Sequence, residues 1–541
     1  MRRNIAVALV SLGLLGTAAC DNFLTNSSKD PNRPTDAPIR QVFVGVQAAQ
    51  FAFQEGTTAM QLCLWVQACG AANGRFVQQA YNYVFGEGTD IGSGFGDWLL
   101  VYAAGGLIDI RKVEADALAA KDSTWLGIAK IWEALAIGTA SDLWGDIPYS
   151  QALVDPQPTL DGRFAVLGAV QTLLSDAIRL LGSGEGDGPG GADLVFGGDA
   201  DSWIAAANTL KARYWMHLAE AAANGLLPGV SPYDSAITYA SDGISDPSGA
   251  SDFASFHTLS TSERNMWAQF QTSSGFGNDL SAGKEMVDFM VNRRDPRLSS
   301  YFCKNVTATW KGPDSVYVVG RRVLGAGFAQ QVTIAGTGGA TQPTWNTTVG
   351  GTTPDGTVTW TNQGLPYAGD DPSAAQPNVS RFSCQPARFG DDARIPYVSY
   401  AENELILAEA YQQTGDDPTA LTHLNNARAF ANGAFSHASP LVDLPTLAGI
   451  TSANGLLDSI MTEKYVAMFQ NIESYSDYRR TCIPALTPAT NNRGFTNVPG
   501  RLYYPLNERN TDPNIPDPSV QQTTNGFRNA GDAHGCLGDA R

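Results

Sequence analysis

Between Val398 and Ala431 small and apolar side chains recur at three- and four-residue intervals, in two successive runs. Val398, Ala401, Leu405, Ala408 and Gln412 share one face of a helix, and Ala420, Leu421, Leu424, Ala427 and Ala431 share one face of a second. Between them stands Thr414-Gly415-Asp416-Asp417-Pro418, which reads as a stop, a turn and a new helix start. The segment is therefore a helix–turn–helix pair with small residues at its crossing points. The same periodicity runs from Trp203 through Ala206, Leu210, Tyr214 and Leu218. Val42–Phe53 and Trp125–Ala140 are apolar with good helix formers, and Trp98, Tyr102 and Leu107 begin an amphipathic stretch continuing through Ile110, Val113 and Ala117. The expected fold is mainly α. With 56 glycines and 29 prolines it carries long ordered loops, one of them over residues 181–199.

Residues 304–380 depart from this pattern. They are rich in Thr, Gly and Val, contain Trp310, Trp345 and Trp360, and hold few helix formers. Segments 344–348 and 357–361 flank Pro354-Asp355-Gly356, and short Thr/Val/Trp strands around an Asp-Gly turn make a β-hairpin. This part is expected to be a β insert in the helical body. Some thirty residues of it look like a Trp-and-Gly β-repeat of phage tail and other surface proteins.

The N-terminus has the layout of an export signal. Arg2 and Arg3 are followed by the apolar run Ile5–Leu15, too short to span a bilayer, and then by Thr17-Ala18-Ala19-Cys20. The small residues before Cys20 look like a lipobox, with residues 1–19 removed and Cys20 acylated. Thr17 stands where Leu is usual; cleavage after Ala19 without acylation is the alternative. Residues 20–40, with Asp30-Pro31-Asn32-Arg33-Pro34, form a lipidated tether, and residues 41–541 the body. No later apolar run reaches 18 residues, so membrane attachment rests on the lipid.

The formal charge is −18, and loss of the leader removes two further positive charges. Such a chain repels phosphate backbones, which argues against nucleic acid as a partner. Without Cys20 six cysteines remain, and in an oxidising compartment six thiols allow fifteen disulfide connectivities. Neighbour pairing is the simplest: Cys63 with Cys69, Cys303 with Cys384 at the base of the insert, and Cys482 with Cys536 at the C-terminal tail. The absence of a CxxC spacing and the presence of only five histidines argue against structural zinc.

Several motifs, in order along the chain, together resemble the SusD/RagB family, in particular its SusD-like nutrient-binding outer-membrane lipoproteins. They begin with Cys20-Asp21-Asn22-Phe23-Leu24 and Asp30-Pro31-Asn32. Asp142-Leu143-Trp144-Gly145-Asp146-Ile147-Pro148-Tyr149 and the helix Leu210–Ala219 follow, then Asn265–Phe270 with Asp295-Pro296-Arg297-Leu298. Tyr400–Tyr411, Glu463-Lys464-Tyr465, Tyr478–Thr481 and Pro499–Pro505 complete the set. The helix pair at 401–431 resembles a tetratricopeptide unit. The resemblance implies a helical fold with tetratricopeptide-like pairs on one side and irregular loops on the other. It also implies a partner, a TonB-dependent, SusC-like transporter barrel over which the lipoprotein sits as a lid.

Binding suits these residues better than catalysis. Glu402 and Glu409 share a helix but lie two turns apart, roughly 10 Å along its axis, and are read as partners of arginines such as Arg479 and Arg480 rather than as a glycosidase pair. Neither GxSxG, HExxH nor a P-loop is present, and no cofactor is implied. Sugars offer CH faces to aromatic rings and hydroxyls to amides and charged groups. Aromatics on helical stripes (Trp98, Trp125, Trp132, Trp203, Tyr214) are core, and Trp345 and Trp360 fill the hairpin. The candidate ligand contacts are aromatics in polar segments: Tyr81, Tyr83 and Phe85, and, in a second segment, Phe253, Phe256, His257 and Trp267. The expected function is capture of an oligosaccharide or peptide at the cell surface for the transporter. A surface glycoside hydrolase and a structural or adhesive lipoprotein are the alternatives.

Overall fold

The computed structural model describes residues 37–71, 83, 96–272, 279–313, 315–372, 378–382, 386–487, 497–517 and 536–538. The leader, Cys20 and most of the tether lie outside this set. Eight helices build the body: α1 (Ile39–Glu55), α2 (Thr57–Trp65), α3 (Leu107–Ala120), α4 (Ser123–Trp144), α5 (Arg163–Ser183), α6 (Ala200–Met216), α7 (Pro232–Ala240) and α8 (Lys284–Asn292). Four more close it: α9 (Tyr400–Thr414), α10 (Asp417–Ala434), α11 (Leu456–Ala467) and α12 (Glu473–Thr481).

Helix α4 is the centre of the body because it is buried on every side. From Ile128 to Trp144 only Lys130 is not fully buried. Asp122 caps its start by accepting the Trp125 N–H at 2.9 Å, and Gly145 ends it. Helices α3, α5 and α6 pack around it. Gly138 makes one crossing possible, since a Cβ there would stand 2.4 Å from the Tyr214 ring of α6. Helix α5 is long and apolar enough to cross a bilayer by length and composition. It lies instead along the body, with Val166, Val170, Leu174 and Leu181 buried and Thr172, Ser175 and Arg179 on its outer side.

The stretch expected to run on from Trp98 through Ala117 is two helices, Trp98–Tyr102 and α3. Gly105, at φ +96°, turns the chain between them. The α9–α10 pair forms as its spacing requires, except that Val398 precedes α9, in a short strand (Pro396–Val398) paired with Phe253–Ala254. Ser399 caps α9, Gly415 terminates it in the left-handed region, and Asp416 caps α10 with Pro418 in the first turn. Leu405, Ala408, Leu424 and Ala427 meet Ile460 of α11 in one small core, and α7 covers the other side of α9.

The insert is a four-stranded antiparallel sheet of β1 (Arg322–Gly325), β2 (Phe328–Ile334), β3 (Thr352–Asp355) and β4 (Val358–Asn362), in the order β1-β2-β4-β3. Residues 344–348 are not its hairpin strand. The partner of β4 is β3, with Thr353 opposite Trp360. Pro354 therefore sits in an edge strand, where its missing N–H costs no ladder bond. Trp345 and Trp360 meet edge to face at 5.4 Å in a core with Tyr317, Val323, Val332 and Val358. Asp355 Oδ2 accepts from the indole N–H groups of Trp310 and Trp360, at 2.9 and 3.0 Å.

Disulfides join Cys63 to Cys69 and Cys482 to Cys536. Cys303 is also disulfide-bonded, while Cys384 lies outside the described residues.

Where α4, α6, α9, α11 and α12 meet, charged side chains form one buried web. Arg213 reaches Glu402 at 2.5 Å and Glu473 at 3.7 Å, and His217 bridges Asp142 and Glu473 at 2.7 and 2.8 Å. Lys464 holds Asp477 at 2.8 Å, and Arg480 is paired with Glu409 and Asp477. Asp142 also takes Arg163 and Arg479. Burial opposes the charge on His217, but the Asp142 and Glu473 carboxylates outweigh it and push its pKa up to about 9. A raised pKa adds stability that is complete below the unfolded value of about 6.5 and is lost as pH rises through the folded value. Denaturant midpoints should therefore fall between about pH 6.5 and 9.5, and His217→Gln should flatten that dependence. Arg213→Met, which strands Glu402, should cost about 3–5 kcal/mol in equilibrium unfolding.

Candidate binding cleft

A cleft of about 470 Å³ opens between α1 and the segment 256–269. Its floor comes from the outer face of α1, with Val44, Ala48 and Ala52, and its rim from Phe256, Glu263 and Arg264. The segment is held open by its own polar contacts. Thr258 Oγ1 donates to Glu263 Oε2 at 2.7 Å, and Gln269 Nε2 donates to the Arg264 carbonyl at 2.5 Å. Asn265 anchors it to the body through the Ala393 carbonyl at 2.9 Å and caps the turn of Trp267 and Ala268.

His257 forms one wall. Its ring lies 2.5 Å through Nε2 from Oε1 of Glu55, which is wholly buried, and its Nδ1 is 3.2 Å from the Glu263 carbonyl. Tyr397 Oη donates to the other oxygen of Glu55 at 3.3 Å. The imidazole is therefore fixed in orientation by an acid set in the core. Phe256 is 41% exposed, an unusual state for a ring so close to the core. The cleft thus offers an apolar floor, one open aromatic face and a rim of imidazole, carboxylate, guanidinium and amide. This is the chemistry that a polar ligand with flat CH faces requires.

The aromatic residues singled out in the sequence do not converge. Tyr81 and Phe85 lie outside the described residues. Tyr83 is fully buried, its hydroxyl donating to the Trp65 carbonyl at 3.3 Å, and burial pushes its pKa up to about 12. Phe253 is core, wedged between Trp132 and Trp203 at 4.9 Å from each. Trp267 is also fully buried, edge-on to Phe382 and Phe389 and tilted against Phe469. In this structure, then, neither Tyr83 nor Trp267 presents a ring to a ligand. A polar stretch of sequence had marked Trp267 as a loop residue, but an aromatic cluster contributed by two distant segments covers it. His257 and Phe256 alone of the second group line the cleft. Arg264 and Glu263, missed in the sequence, sit beside them in the same polar segment.

The carboxylates of the hydrolase reading are otherwise engaged. Glu402 and Glu409 face arginines inside the web. Glu114 is raised to about 8, first by burial and then by the neighbouring Glu133, but the two acids lean on Lys130, Arg111 and Tyr149 away from the cleft.

Two family models match the chain. One, described as starch-binding associating with outer membrane, matches residues 33–340, and one, described as SusD and RagB outer membrane lipoprotein, matches residues 397–525. No curated protein matches. Among solved structures, a chitin-binding SusD homologue from Flavobacterium johnsoniae superposes with a TM-score of 0.63 at 18% identity, over 92% of this chain and 99% of that one. A SusD homologue from Bacteroides fragilis gives 0.62 at 19%, over 91% and 97%. One from Bacteroides uniformis gives 0.63 at 16%, over 93% and 98%. Residues 341–396, with β3 and β4, fall between the two family matches. Because Trp267 packs and does not protrude, Trp267→Ala should act on stability, lowering it by about 3–5 kcal/mol in denaturant unfolding.

Proposed function

The chain belongs to the SusD-like family of outer-membrane lipoproteins, and from that membership we propose that it captures glycans at the cell surface and passes them to a TonB-dependent transporter. The family match carries the reading. The chitin-binding relative of the same fold supports a glycan as ligand, and the cleft of Phe256, His257 and Arg264 supplies groups suited to one. In this reading Cys20 carries the lipid, residues 21–40 give the reach of a tether, and the body closes over the barrel as a lid. Peptides are the second ligand class, and the protein itself does no chemistry on what it holds.

Three measurements test this. Cys20→Ala should abolish acylation and move the protein from the membrane to the soluble fraction. Affinity purification of the wild type in mild detergent should bring down a TonB-dependent barrel in stoichiometric amount; a clean preparation lacking one would overturn the lid. Calorimetric titration with neutral oligosaccharides should show binding without sugar release. Phe256→Ala should weaken it about 5- to 30-fold, the equivalent of about 1–2 kcal/mol for one stacked ring.

A further inference from the structure

A second cleft, of about 420 Å³, lies between α10 and the body, and shares none of its lining residues with the cleft on α1, although Ser248, Gly249 and Asp252 stand on the chain that leads into 256–269. Its walls include the rings of Tyr301, Phe430 and Phe435 and the hydroxyls of Ser300, Ser399 and Ser436. What sets it apart is its charge. In a chain of net charge −18, three arginines and two acids line this one cavity. Arg297 and Glu463 neutralise each other at 2.5 Å, and Glu463 is further held by Arg293 and Arg428. Asp252 accepts the Tyr400 N–H at 2.8 Å, and burial pushes its pKa up to about 7, so it repels an anion weakly.

Arg388 and Arg394 remain. Arg388 is 9% exposed, and its guanidinium donates to two neutral acceptors, Gln470 Oε1 and Tyr301 Oη, each at 3.2 Å. It also rests over the Tyr301 ring at 4.6 Å. Arg394 donates to the backbone carbonyls of Ser255 and Ala254 at 2.7 and 3.3 Å. Among the described residues neither has a carboxylate at ion-pair distance, and Asp252 acts on both only from farther off. Arg388 is the buried one of the two, and a buried guanidinium with no carboxylate in contact is costly, while Arg394 stands exposed beside it; the planar fork of donors on each matches a carboxylate. We propose that this cleft is a binding site for the carboxylate of an acidic sugar, with Arg388 and Arg394 taking the carboxylate, Phe430 and Phe435 taking the sugar face and the serines its hydroxyls. The rings of Phe430 and Phe435 and the three serine hydroxyls favour a hexuronate over a peptide terminus.

The test titrates the full mature protein with an oligogalacturonate, the matching neutral galacto-oligosaccharide, and a peptide with a free or amidated C-terminus. The oligogalacturonate should bind at least tenfold more tightly than its neutral analogue. Arg388→Gln should remove that preference. Ala434 is exposed at the cleft mouth, so Ala434→Phe should block the site without touching the core, even if Arg388→Gln fails to fold. Phe256→Ala should leave the acidic ligand's affinity unchanged, which separates this site from the cleft on α1. Equal affinity for acidic and neutral sugars, or undiminished binding in Ala434→Phe, would overturn the proposal. Selective binding of the free-carboxyl peptide alone would overturn the sugar assignment.

Discussion

The mutual neutralisation of charges inside the body is the interaction on which the remaining structure depends. Each ion in the web would be prohibitively costly alone in a low-dielectric interior, and each is stable only while its partners stay in register. Those partners come from α4, α6, α9, α11 and α12, so the web ties residues 142 to 480 into one orientation. Arg213 links the body to α9, His217 links α4 to α12, and Arg480 links α12 back to α9. The α9–α10 pair could dock on the body at many angles through its small residues. Satisfying Glu402 and Glu409 together selects one.

This rigidity leaves binding to the periphery. The α1 cleft and the α10 cleft are both edged by irregular segments that rest on fixed helices, an arrangement that lets side chains vary without disturbing the scaffold. In the first, Glu55 extends the core outward to orient His257. In the second, Glu463 draws three arginines to one side while Arg388 and Arg394 have no carboxylate in direct contact among the described residues. The insert adds a third recess, about 630 Å³ between Tyr367 and Leu365 on its side and residues 436–441 on the other. Its sheet folds around its own tryptophans and Asp355, while Phe328, Leu365 and Tyr367 join it to the core of the helical body.

Family membership and the clefts address different questions. Membership concerns the fold and the setting at the outer membrane. The geometry concerns which groups a ligand would meet, and the two clefts differ in kind: one neutral and open, the other cationic and lined by rings.

Local pattern alone determined most of the helices, though not the break at Gly105 or the strand that holds Val398. Three- and four-residue spacing defines buried stripes, and Asp122, Ser399, Gly415 and Asp416 act within one turn of chain, so α4, α9 and α10 were legible. The core roles of Trp132, Trp203 and Tyr214 and the pairing of the helix acids with arginines were legible for the same reason. The β character of the insert was legible too, but not its register. That depended on which strand the edge position of Pro354 allowed beside β4. Tertiary structure alone decided that Trp267 and Tyr83 are interior, because the rings and backbone that cover them arrive from segments far away in sequence. It alone decided, too, which arginines lack an acid. A sequence lists the charges, but whether two of them meet depends on how the whole chain packs.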